Sequence, residues 1–378
     1  MRILVLTTQG SGVGYHRLML PIYYLEKTYA FFTDTLTDEI LEENFDIVLF
    51  NRFIPGVPLE TLLEKRNKYG FKMICDIDDY WILDRSHILE SVYPTQEIIN
   101  HIREADLVTC TNEKLWNEIR PINSNVAILP NALPYGNDQF TDVREYSDKV
   151  KFVYTGSITH EEDIKLVQFP FKKVASDSVL RSKIHFQLCG FDDSGEGSAA
   201  IWHRMISNFT CGLKLGDTRR FLPVTEYMNF YNDADCSIVP LRATKFNAMK
   251  SNLKLLEAAS KKIPVIGSHV EPYLNSPMIQ VNQQGDWYKE IKKVTEDAIY
   301  RQDKGLELFE WAVANFSLFK VNEKRKQLYQ SMNGSWVMAK SGTIGKISFG
   351  KRRKGKANKG INKHNRKERN YRGQGKWY

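Results

Sequence analysis

Residues 250–268 read KSNLKLLEAASKKIPVIGS, and no other stretch says as much about the chain. The spacing predicts a helix with Lys250, Lys254, Glu257 and Lys261 on one stripe and Leu253, Leu256 and Ala259 on another side. Lys250 and Lys254 would repel each other across a turn at the positive end of the helix dipole, each effect costing roughly 0.3–1 kcal/mol. A phosphate at the helix start reverses both signs and engages the backbone N–H groups there. The alternative is a solvated face with a Lys254–Glu257 pair. Before the helix runs CSIVP (236–240) and within its tail IPVIG (263–267), two short apolar runs that read as strands covered on both faces. The loop between them, 241–249, should then open at the carboxyl edge of a parallel sheet, where ligands bind.

The longer segment 234–268, ADCSIVPLRATKFNAMKSNLKLLEAASKKIPVIGS, resembles the donor-site segment of family 4 glycosyltransferases, which have the GT-B fold. The resemblance implies an α/β chain of two Rossmann-like parallel-sheet domains facing a cleft. It also implies a lysine on the donor diphosphate, here Lys250 with Lys254 beside it, and a glutamate on the donor ribose, here Glu257. The family pattern has a second glutamate eight residues earlier, where this chain has Met249; Asn247, Ser251 and Asn252 are the candidates to replace its contacts to the sugar.

Other segments fit the same plan. Residues 2–17, RILVLTTQGSGVGYHR, read as strand, glycine-rich turn and helix. Gly12 and Gly14 would let backbone amides approach the donor, with Arg17 one turn beyond and Tyr15 and His16 toward the acceptor. A dehydrogenase cofactor loop is the rival, but its wider G-x-G-x-x-G spacing is missing and Asp34 is the sole nearby acid. Residues 71–81, FKMICDIDDYW, form a strand ending in Asp76, Asp78 and Asp79; the first two share a strand face, where like charges need a cation or a proton between them. Relatives with such a glycine-rich start tend to carry a similar acidic patch, which implies catalytic or acceptor-side roles for Asp78, Asp79 and Trp81; capping by the aspartates is the alternative. Residues 105–131 read as strand, capped helix, strand. Residues 151–163 then restart the pattern, and Gly156 and Ser157 would offer amides to the diphosphate, with His160 and Asp163 on the helix that follows.

The expected domains are 1–137 (acceptor side), a polar linker 138–149, 150–318 (donor side), a helix 319–338 returning to the first domain, and a disordered basic tail 339–378. Fourteen of the 53 Lys and Arg residues, but one of the 45 acids, lie from Lys340 onward, so residues 1–339 carry 39 bases against 44 acids. The body is thus −5 and the tail +13. Tyr371, Trp377 and Tyr378 interrupt the tail's charge, a combination suited to nucleic acid. Peripheral membrane contact and simple solubilisation are the alternatives. Five scattered cysteines without C-x-x-C spacing, no apolar run of about 20 residues and a strand at the N-terminus suggest the cytoplasm, with neither secretion signal nor transmembrane segment.

The resemblance implies a retaining, metal-independent transferase with no cofactor beyond its nucleotide-sugar co-substrate. The start GVGYHR (12–17) is similar to that of bacteriophage glycosyltransferases, and with the basic tail this points to hydroxymethylated bases of DNA as acceptor. A saccharide or lipid-linked acceptor, a Rossmann-type oxidoreductase or epimerase, and a nucleic-acid-binding protein on an inactive transferase scaffold are the competing readings.

Overall fold

The structure, a computed structural model, describes residues 1–332 except 8, 9 and 196. The expected tail 339–378, the end of the returning helix and residues 8 and 9 before the glycine-rich turn lie outside the described residues. Among the described residues, twelve short strands form two all-parallel sheets. The first contains β1 (Arg2–Leu6), β2 (Tyr29–Thr33), β3 (Ile47–Asn51), β4 (Lys72–Ile77), β5 (Leu107–Cys110) and β6 (Val126–Ile128), in the order β2-β1-β3-β4-β5-β6. The second contains β7 (Val150–Thr155), β8 (Ile184–Phe191), β9 (Gly216–Arg220), β10 (Cys236–Val239), β11 (Val265–Ser268) and β12 (Ile279–Val281), in the order β12-β11-β10-β7-β8-β9.

The inner strands are apolar at their centres because helices cover both faces. Ile3, Leu4 and Val5 on β1 and Ile47, Val48 and Phe50 on β3 are fully buried, as are Cys236 and Ile238 on β10. Strand order places the working surface. Chain direction across the first sheet reverses between β1 and β3, and across the second between β7 and β10; crevices form at the carboxyl ends of such strand pairs. Those ends carry the glycine-rich turn, Arg52, Gly156 and the loop that begins at Pro240.

Two crossings join the halves. The outgoing chain passes Leu129, Leu133 and Phe140, all buried against the second half. The return pairs with it directly: Leu133 bridges Ser317, its N–H donates to Phe316 O at 3.1 Å, and Leu318 N–H donates back to Leu133 O at 3.0 Å. The helix Leu318–Met332 then lies on the first sheet, with Tyr329 buried among Ile3, Val5, Leu18 and Ile22. Asn322 Nδ2 donates to Pro21 O at 2.9 Å and Lys324 Nζ to Ile128 O at 2.9 Å.

Candidate functional site

The helix of the donor segment begins three residues later than its sequence suggests. It runs Leu253–Ser260, preceded by a short helix Lys245–Ala248 whose first turn is capped by the Thr244 hydroxyl. Lys250 therefore stands on the connecting coil and not on the stripe of Lys254 and Glu257. The reason is packing: Phe246 and Met249 turn into the apolar cluster of the first half, beside Tyr80 and Trp81, and pull the coil across the cleft. Asn112 of the first half fixes it there, donating from Nδ2 to Met249 O at 2.8 Å, and Asn131 Nδ2 donates to Ser251 Oγ at 2.7 Å. Met249 thus has a physical role of its own. It anchors the loop where the family pattern places a carboxylate.

A cavity of about 290 Å³ opens between the carboxyl edges of the two sheets. Lys250, Lys254 and Glu257 line it from the second half, with Tyr227 and Tyr273; Gly12, His16, Asp78 and Asp79 line it from the first. The solvated-face alternative is excluded for this helix, because Glu257 is 3% exposed. Tyr231 donates its hydroxyl to Glu257 Oε2 at 3.0 Å, and His16 Nε2 lies 3.6 Å from Oε1. Loss of water lifts the Glu257 carboxyl to about 7, against the pull of Tyr231 and Lys254. Lys254 sits with its ammonium 4.4 Å from the centre of the Tyr154 ring, and desolvation lowers it to about 8, although Asp163 and Glu257 oppose the shift. His16 falls to about 4 through burial and the adjacent Arg17 charge, so at neutral pH it is an uncharged imidazole. Its Nδ1 has no hydrogen-bond partner among the described residues. The helical segment Gly14–Met19 that carries it is a π-helix, a form common at functional sites.

The acidic patch resolves into separate partnerships. Arg17 grips Asp76 through Nε to Oδ2 at 2.9 Å and Nη2 to Oδ1 at 2.6 Å, while its Nη1 donates to Leu129 O and Asn131 Oδ1. Arg52, in the left-handed region at φ 61°, holds Asp78 through Nε at 3.0 Å and Nη2 at 2.9 Å, and despite burial this keeps the Asp78 carboxyl below its ordinary range. Guanidinium groups therefore supply the charge that Asp76 and Asp78 demand. Asp79 reaches across the cleft to Lys250 Nζ at 3.3 Å.

Several sequence expectations are corrected. Arg17 does line the cavity, but it is 4% exposed and its guanidinium ties strand ends together, so a donor phosphate would have to compete with Asp76 for it. Trp81 is 3% exposed inside the first core, and Tyr15 is buried with its hydroxyl accepting from Gln139 Nε2 at 3.0 Å; neither lines the cavity as an acceptor contact would. The Gly156 N–H is committed to Cys189 O at 3.3 Å, and neither Gly156 nor Ser157 lines the cavity. Gly156 instead keeps space for the Tyr154 hydroxyl, which a Cβ would approach to 2.6 Å. Asn247 is buried and donates to Asp163 Oδ1 and Arg242 O, while Asn252 stands at the N-cap of the helix without capping it. Of the suggested substitutes for the first glutamate, Ser251 lines the cavity. His160 also lines it, donating from Nδ1 to Asp163 Oδ2 at 2.8 Å; burial and Lys254 lower it to about 4. Arg52, Asn131, Tyr227, Tyr231 and Tyr273 escaped the sequence reading. The crowding of Asp76, Asp78 and Asp79 signalled that cations were needed, but not which ones.

No family model and no curated protein sequence matches the chain. Solved structures match its fold over most of its length. Anabaena HepE in complex with UDP-glucose superposes with a TM-score of 0.63 at 9% identity, covering 88% of this chain and 100% of that one. The sucrose-phosphate synthase of Thermosynechococcus elongatus gives 0.65 at 12% identity over 88% and 99% of the two chains. A glycosyltransferase from Rickettsia africae gives 0.60 at 13% identity over 88% and 98%. Two six-stranded parallel sheets with a cleft at their carboxyl edges, in this order and with these neighbours, are the GT-B fold.

Proposed function

We propose that the chain is a glycosyltransferase that takes its sugar from a nucleotide sugar. The observation that carries this reading is the shared wall of one cavity: Lys250, Lys254 and the first turn of the helix Leu253–Ser260 stand beside a buried Glu257. The UDP-glucose held by HepE supports it by analogy of fold. Cleaving a sugar from a diphosphate develops negative charge on the departing phosphate. Lys250 and Lys254 meet that charge from fixed positions, and their preorganisation lowers the barrier without reorganisation during the step. Glu257 accepts hydrogen bonds from the ribose hydroxyls, which sets the sugar end of the donor against Asp78, Asp79 and His16. Lysines and helix amides suffice for phosphate stabilisation in this scheme, so we assign no metal. Transfer with retention follows from the acceptor approaching on the leaving-group side, where the phosphate oxygen or Asp79 takes its proton. We place the enzyme in the cytoplasm, supported by five cysteines that are all unpaired.

For the acceptor we propose hydroxymethylated bases of DNA, supported by the +13 charge of 340–378. The test is to incubate the full chain with UDP-, GDP- and other nucleotide sugars, with and without hydroxymethylated DNA, and to weigh the nucleosides by mass spectrometry. A hexose or pentose added to the modified base is the expected result. Nucleotide release with no DNA product keeps the transferase and removes this acceptor; no turnover of any donor removes both.

A further inference from the structure

Lys250 and Asp79 belong to opposite halves of the molecule, yet Lys250 Nζ donates to Asp79 Oδ2 at 3.3 Å on the wall of the cavity. The neighbouring acids are satisfied within their own half: Asp76 by Arg17, and Asp78 by Arg52 and by Asn51 Nδ2 at 3.0 Å. Asp79 comes no closer than 3.7 Å to Arg52. Its side chain is 24% exposed and that of Lys250 is 18% exposed, so water and ligand reach both. The carboxylate at the end of this strand is thus held by the same ammonium that the donor-site reading assigns to the diphosphate.

Resting on that reading, we propose that Asp79 occupies the phosphate's place at Lys250 and is displaced when the donor binds. A diphosphate carries at least two negative charges, so it wins the ammonium from a single carboxylate and repels that carboxylate once seated. Donor affinity is then reduced by the cost of breaking the bridge. Linkage requires that removing the bridge return the same factor. The displaced carboxylate faces the part of the cavity lined by His16 and Asp78, where the acceptor must come. Donor binding therefore presents Asp79 to the acceptor, and the acceptor's partner is formed second.

The experiment is titration calorimetry of the full-length chain, Asp79→Asn, Lys250→Ala and the double variant with inorganic pyrophosphate, UDP and GDP. Asp79→Asn should bind on the order of 5- to 50-fold more tightly, Lys250→Ala more weakly, and the gain should vanish in the double variant. Asp79→Ser should reproduce the gain, which guards against a contact made by the new amide. Carboxylate labelling read by mass spectrometry should mark Asp79 more heavily at saturating pyrophosphate. Unchanged affinity in Asp79→Asn, with Lys250→Ala still weaker, overturns the exchange and leaves the donor site standing. A gain that persists without Lys250 overturns it too, since general relief of negative charge would explain it. Failure of all three ligands to bind the unsubstituted chain and Asp79→Asn overturns the donor-site reading itself.

Discussion

At Lys250 the placement on a coil, across from Asp79, makes its charge available to the cavity without the burden of helix packing. Lys250→Ala should therefore reduce transfer by ~10²–10³-fold with little change in melting temperature. Lys261 gives the opposite result. The sequence puts it at the far end of the same stripe, and it is 2% exposed, with Nζ 3.5 Å from Val143 O. Lys261→Ala should lower the melting temperature and spare the turnover of the molecules that remain folded. Glu257 carries a pH signature. Its folded-state value of about 7 lies above the ordinary 4.5, so the native state holds an extra proton between those values and its contribution to stability falls as pH rises through them. His16 and His160, lowered from 6.5 to about 4, act in the opposite sense, their contribution rising with pH over that range. Glu257→Gln removes the acid alone. Its unfolding free energy relative to the unsubstituted chain should climb from pH 4.5 to 7, by an amount on the order of 3 kcal/mol, and then level off. A difference that stays flat across this window would show that Glu257 titrates normally.

At the scale of elements, the parallel strands were legible because a strand covered on both faces leaves an uninterrupted apolar run, as in CSIV of β10 and VIGS of β11. The loop between them was not. Its path depends on Phe246 and Met249 finding the other half's core and on Asn112, 137 residues away in sequence, donating to Met249 O. Trp81 failed for the same reason. An aromatic beside three aspartates looks the same in sequence whether it turns inward or outward. Tyr231 and Asn131 reach the site only through folding at long range, and no local spacing marks them. Met249→Glu would restore the family pattern but bury a carboxylate among Tyr80, Trp81 and Phe246, so urea unfolding should show a loss of about 2 kcal/mol or more. Behind the donor helix, Gly305 lies so close to its end that a Cβ would fall 2.1 Å from Lys262 O. Gly305→Ala should cost ~1–3 kcal/mol and weaken nucleotide binding, because the helix Ala298–Phe316 must back away from the helix that carries Glu257.

For the whole molecule, the returning helix makes the two halves mutually dependent. Tyr329 completes the first half's core from the far end of the chain, so truncation after residue 317 should expose that core and abolish cooperative unfolding, whereas removal of 340–378 alone should leave the melting transition in place. Removing 340–378 also reverses the net charge from +8 to −5. If the acceptor is DNA, binding by the intact chain should weaken steeply as salt rises, and the truncated chain should lose both the affinity and the slope. The joint between the halves has its own consequence. Leu133 and the Phe316–Leu318 segment run side by side with hydrogen bonds in both directions, so the two crossings are stitched together at one spot. Breaking that one spot should therefore loosen both crossings at once, and with them the register that sets Lys250 opposite Asp79.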